Sequence, residues 1–138
     1  MAEALFIIPF TVLPLIVFNL VAWIYGPGAW DGALFGITMV SQQQWTLSAA
    51  DLMSLFGIAC LFGEVLKSTN TGARAIVNHI LSMLVFIVYL VEFIVVAYAA
   101  KSVFFILMIL SLFDVLAGFT ISIKAARRDF SVGRGEGV

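Results

Sequence analysis

A chain of 138 residues that is 63% apolar, only 11% charged and carries a net charge of −1 lies far outside soluble domains, where about 45 to 50% apolar and about 25% charged is usual. Lipid is the expected solvent, and so neutral a chain gives no footing for nucleic-acid binding. The single cysteine, Cys60, excludes an intrachain disulfide and a paired-thiol redox site.

Reading for apolar runs of roughly 20 residues predicts four membrane spans, at about 4–25, 48–67, 75–99 and 102–124. The first has no basic residue ahead of it and ends in Trp23 and Tyr25 rather than in small residues, so it reads as a retained helix and not as a cleaved signal. Pro14, deep in that run, predicts a kink, and Asn19 is the one strongly polar side chain of its interior.

The long connection 26–47 opens on Gly26, Pro27 and Gly28 and then turns strand-like. Segments 34–40 and 44–47, with Ser41, Gln42 and Gln43 between them, predict a small β-hairpin; an interfacial helix over 33–40 is the alternative. Ser48 and Asp51 then have the spacing of a helix-capping box, which explains Asp51 without a functional role.

Six of the seven basic residues fall on one side of this scheme: Lys67 and Arg74 beside the connection 68–74, and Lys124, Arg127, Arg128 and Arg134 after the last span. That side is expected to be cytoplasmic, with both termini and a tail at 125–138. Trp23, Tyr25, Trp30, Trp45 and Tyr98 would then collect at the outer headgroup level. The expected fold is an all-α integral membrane protein, one domain over 1–138, built as a four-helix bundle with a hairpin in its outer loop.

Helical spacing lines the remaining polar residues into seams. Ser54, Gly57, Leu61 and Glu64 share one face of the second span; Asn78, Ser82, Val85, Tyr89 and Glu92 share one of the third; Ser111, Asp114, Gly118 and Ser122 share one of the fourth. A carboxylate at the bilayer centre costs about 2.5 to 3.5 kcal/mol on insertion scales, so these seams are expected to face inward. Asp114, with no basic residue at its depth, is the strongest candidate for an intramembrane polar or ion site, with Glu92, Tyr89 and Asn19 as its expected neighbours. Glu64 is expected to form an ion-pair cluster with Lys67, Arg74 or His79. Gly57, Ala59, Cys60, Gly63 and Gly118 are expected packing residues, Ala59 and Gly63 forming a small-xxx-small pair. One histidine excludes bis-histidine haem and a multi-histidine metal site within the chain, so no cofactor and no metal are expected.

Segments 114–129 (DVLAGFTISIKAARRD) and 78–92 (NHILSMLVFIVYLVE) resemble an uncharacterised group of small four-span bacterial inner-membrane proteins. The resemblance implies a bacterial inner-membrane setting and no activity. The chain lacks the first-span glutamate of small multidrug exporters, and the cysteine pairs of quinone-linked thiol oxidoreductases and of claudins. No nucleophile, metal or cofactor constellation emerges. The functional expectation is a non-enzymatic membrane protein that self-associates or serves as an accessory subunit, partnered by lipid and by copies of itself or other membrane subunits. The alternative is a homo-oligomeric channel or proton-coupled transporter using Asp114 and Glu92.

Overall fold

Pro14 sets where the first helix begins. In an α-helix its ring would collide with the carbonyl of residue 10, and Pro9 supplies no N–H and biases the residue before it away from helix. In the computed structural model, which describes residues 8–68 and 73–132 and omits the side chains of 68, 73–75, 122, 124–126 and 128–132, helix α1 accordingly spans Val12–Tyr25. Residues 8–11 are not α-helical; Val12 and Leu13 donate their N–H groups to the Pro9 and Phe10 carbonyls at 3.1 and 3.0 Å. The kink expected at Pro14 is therefore absent. Proline stands in the first turn, where its missing N–H would have had no helical partner. The predicted helical stretch at 4–7 falls outside the described residues.

Gly26, at φ +84°, ends α1 in a conformation open to glycine, and a 3-10 turn at Pro27–Trp30 follows. Strands β1 (Ala33–Thr38) and β2 (Gln44–Ser48) pair antiparallel, with Ile37 opposite Trp45 and Thr38 opposite Gln44. The interfacial-helix alternative for 33–40 is thereby overturned: β-branched and aromatic residues at Ile37, Thr38, Trp45 and Thr46 favour the pleated pairing. Gln42 takes the positive φ, 66°, that the reversal needs.

β2 runs straight into helix α2 (Ala49–Ser68) through a formed capping box. Asp51 N–H donates to Ser48 Oγ at 3.1 Å, and Ser48 N–H donates to Asp51 Oδ2 at 2.8 Å. Ser48→Ala is expected to cost about 1 kcal/mol, read as a lowered thermal midpoint in detergent with unchanged helix content.

Helix α3 (Ala73–Val95) stops four residues before the predicted end, because Val96 is extended and a 3-10 turn, Ala97–Ala99, leads to helix α4 (Ser102–Val132). α4 continues through 125–132, where a tail was expected; the rest of the tail, 133–138, is outside the described residues. Three helices contain stretches long and apolar enough to cross a membrane: Ala49–Lys67, Ile76–Val95 and Ser102–Ile121. α1, with 14 residues, is about 21 Å long, short of a hydrocarbon core of about 30 Å. α4 packs against each of the other three helices. With so much Leu, Ile, Val and Phe exposed on the helix faces, this is a transmembrane protein.

Its interior has two layers. Toward the hairpin end lies an aromatic core. Phe18 stacks on Trp30 with ring centroids 5.0 Å apart and also contacts Phe104, which in turn contacts Tyr89 and Phe93. Trp30 is thus a core residue rather than an interfacial anchor, whereas Trp23 and Tyr25 are exposed. Lys101 binds Asp31 at 2.8 Å and ties the last connection to the 3-10 turn that carries Trp30. Toward the opposite end, the interior is polar.

Candidate functional site

The non-helical segment 8–11 ahead of α1 creates the polar layer. Its backbone groups lack helical partners, which lipid cannot replace, so irregular backbone at membrane depth survives only against protein or water. Here side chains of α2 and α3 bond that backbone, and α4 takes the Thr11 hydroxyl. Glu64 on α2 accepts the Phe10 N–H on Oε2 at 2.7 Å. Lys67, one turn on, donates from Nζ to the Ile8 carbonyl at 2.8 Å and also covers the Phe10 ring, 4.6 Å from its centroid. Tyr89 on α3 donates its hydroxyl to the Thr11 carbonyl at 3.1 Å, and the Thr11 hydroxyl donates to Asp114 Oδ2 on α4 at 3.0 Å.

These groups also hold one another. Lys67 Nζ lies 2.9 Å from Glu64 Oε2, and Asn78 Nδ2 donates to Glu64 Oε1 at 2.6 Å. Glu64 is wholly buried and Asp114 is 4% exposed. Both carboxyls stand at the N-terminus of α1, where the helix dipole presents its positive end. Asp114 also lies within the electrostatic reach of Glu64 and Lys67, so one network joins the two acids.

The candidate residues divide accordingly. Glu64 and Lys67 come together; the Arg74 side chain is outside the described residues. His79 is buried against Gly118, where any added Cβ would meet its ring. Gly57 lets α4 approach through Leu107 and Leu110, and a Cβ added at Gly63 would stand 3.0 Å from the Phe10 ring. Cys60 is buried; Ala59 is exposed whereas Gly63 faces the Phe10 ring, so half of the small-xxx-small pair is already covered by the chain itself.

Glu92 does not join Asp114. Glu92 stands three residues before the end of α3 at Val95 and Asp114 twelve residues after Ser102, which at about 1.5 Å per residue separates their depths by roughly 13 Å. Glu92 neighbours Asn19 instead, whose Oδ1 accepts the Tyr98 hydroxyl at 2.7 Å. A shallow apolar groove on α3, lined by Ile87, Val88, Val91, Val95 and Val96, has Glu92 at its side. Tyr89 reaches Asp114 only through Thr11. Thr11 is the site residue that sequence reasoning missed. The Pro9 and Pro14 spacing was its signal, since Pro14 forbids a helical residue 10 and so puts residue 11 at a helix start.

Among the described residues, no group of three or more His, Cys, Asp or Glu side chains is arranged to hold a metal ion. No family model, curated protein or solved structure matches the chain.

Proposed function

We propose that this chain is a non-enzymatic integral membrane protein, a four-helix bundle with both termini cytoplasmic, that acts by self-association or as an accessory subunit of a membrane assembly. The observation that carries the reading is the hairpin. Segment 33–48 contains no charged residue, and Phe35, Ile37 and Trp45 stand exposed along one face, with Leu34 exposed on the other. A two-stranded sheet is marginal alone and leaves unpaired N–H and C=O groups along both edges. Apolar faces keep it from water and open edges keep it from lipid, so a strand from another chain is the surface that satisfies both. A second copy is the simplest such surface, because a two-fold pairing is self-complementary.

The placement of the acids supports the same reading. Glu64 and Asp114 have partners within the chain and hold segment 8–11, a structural task. The channel or transporter alternative rested on Asp114 and Glu92 acting as a pair, and the two belong to separate clusters. The resemblance of segments 78–92 and 114–129 adds a bacterial inner-membrane location to the proposal.

Charge on the hairpin face tests it. Phe35→Lys with Ile37→Lys, at exposed positions, is expected to leave helix content unchanged and to reduce the particle mass in nanodiscs, or to release a co-purifying membrane subunit. Lower mass identifies self-association, and loss of the subunit identifies the accessory role. Unchanged mass together with unchanged co-purification would sink the proposal.

A further inference from the structure

The polar layer holds more carboxyl groups than ammonium groups among the described residues. Among the described residues, α2 contributes Glu64 and Lys67 to it, and Cys60 lies nearby on the same helix; α3 contributes His79 and Tyr89; α4 contributes Asp114; and segment 8–11 contributes only the Thr11 hydroxyl and backbone. Lys67 balances Glu64 at 2.9 Å. Asp114 has no cation of its own among the described residues.

A second, independent observation comes from unpartnered atoms. Asn78, whose Nδ2 is bonded to Glu64, is 5% exposed and has a buried Oδ1 with no hydrogen-bond partner. Ser82, wholly buried one turn further along α3, lies beside Asp114, yet its Oγ makes no hydrogen bond of ordinary geometry. Ser111, wholly buried and three residues before Asp114 on α4, is likewise unpartnered. A carboxylate can only accept hydrogen bonds, whereas a carboxylic acid also donates one. With Thr11 donating to Oδ2, an acid proton on Asp114 has the Ser82 oxygen beside it as acceptor.

We propose that this cluster binds one exchangeable proton per chain, carried by Asp114 and taken up from solvent. The step is a protonation alone: the carboxylate of Asp114 gains the proton, and no other covalent bond changes. It leaves the cluster electrically neutral, with Glu64 and Lys67 as the ion pair and Asp114 as a neutral acid held between Thr11 and Ser82. Ionising Asp114 would leave a net negative charge in a low-dielectric interior, which is the costly state.

Infrared difference spectroscopy of the full chain in nanodiscs, stepped through pH, tests this on the C=O stretch of protonated carboxyl groups. One protonated carboxyl is expected at neutral pH, to be lost on alkalinisation. Carboxyl-13C aspartate is expected to shift the band in the unsubstituted protein; Asp31 pairs with Lys101 and Asp51 caps α2 in exposed positions, and Asp129, the remaining aspartate, is separated from Asp114 by the Asp114→Asn variant. Asp114→Asn is expected to abolish the band, Glu92→Gln to leave it, and Lys67→Met to double it, because the cluster then needs a second proton. A band that shifts with labelled glutamate but not labelled aspartate would overturn the assignment, as would the absence of any protonated carboxyl. Loss of the band when sodium replaces choline at constant pH would identify sodium as the occupant instead, and would equally overturn it.

Discussion

Glu64→Ala is expected to destabilise the protein by about 3 to 5 kcal/mol, the scale for removing one partner of a buried ion pair. The substitution leaves Lys67 without its carboxylate, the Phe10 N–H without its acceptor and Asn78 Nδ2 without the carboxylate oxygen it donates to. Each is a buried group stripped of a bond that lipid does not replace. Reversible unfolding in mixed micelles measures the loss. Glu64→Gln is expected to cost less than Glu64→Ala, because an amide oxygen still accepts from Phe10. Glu64→Gln combined with Lys67→Met is expected to recover part of the loss, because it removes the orphaned ammonium as well. Equal losses for Gln and Ala would show that the acceptor role is irrelevant, and the docking of 8–11 on Glu64 would have to be abandoned.

The second large effect is expected at Phe18. Phe18 is fully buried between Trp30 and Phe104, with centroids 5.0 and 4.7 Å away. Phe→Ala in a soluble core costs about 3 to 5 kcal/mol, as lost transfer energy plus a cavity. In a membrane protein the unfolded side chain still sits in an apolar medium, so the transfer part shrinks and the cavity part remains. About 3 kcal/mol is therefore expected for Phe18→Ala. Ile16→Ala, two residues away and about half exposed, should fall within about 0.5 kcal/mol of the parent. A similar fall at both positions would mean that the Phe18 contacts do not organise this end of the molecule.

The three long apolar helices and the hairpin were legible in the chain because each rests on local chemistry. Apolar length specifies a spanning helix, turn residues between β-branched runs specify a hairpin, and a Ser48 to Asp51 spacing specifies a cap. The inward placement of Glu64, Asn78, Ser82, Tyr89 and Asp114 was legible for the same reason, since helical period puts them on shared faces. The expected partnership of Asp114 with Glu92 was not what folding produced. It was inferred from shared helix faces and from depth, and the depth of a residue depends on where its helix ends, which Val96 and the turn after it altered.

What the sequence by itself determined is a membrane protein with long apolar helices, buried acids and a hairpin, because lipid forbids unpaired backbone and exposed charge; of the four spans read from it, three are long enough to cross and the first is shortened to Val12–Tyr25. Tertiary structure alone decided that the acids meet Phe10 and Thr11. The first contact is made by a backbone N–H, which carries no side-chain signature, the second by a lone hydroxyl, and they cross 54 and 103 residues of chain. Tertiary structure alone also decided that Trp30 is core rather than interface, because an aromatic ring is equally at home in either place until Phe18 is brought beneath it.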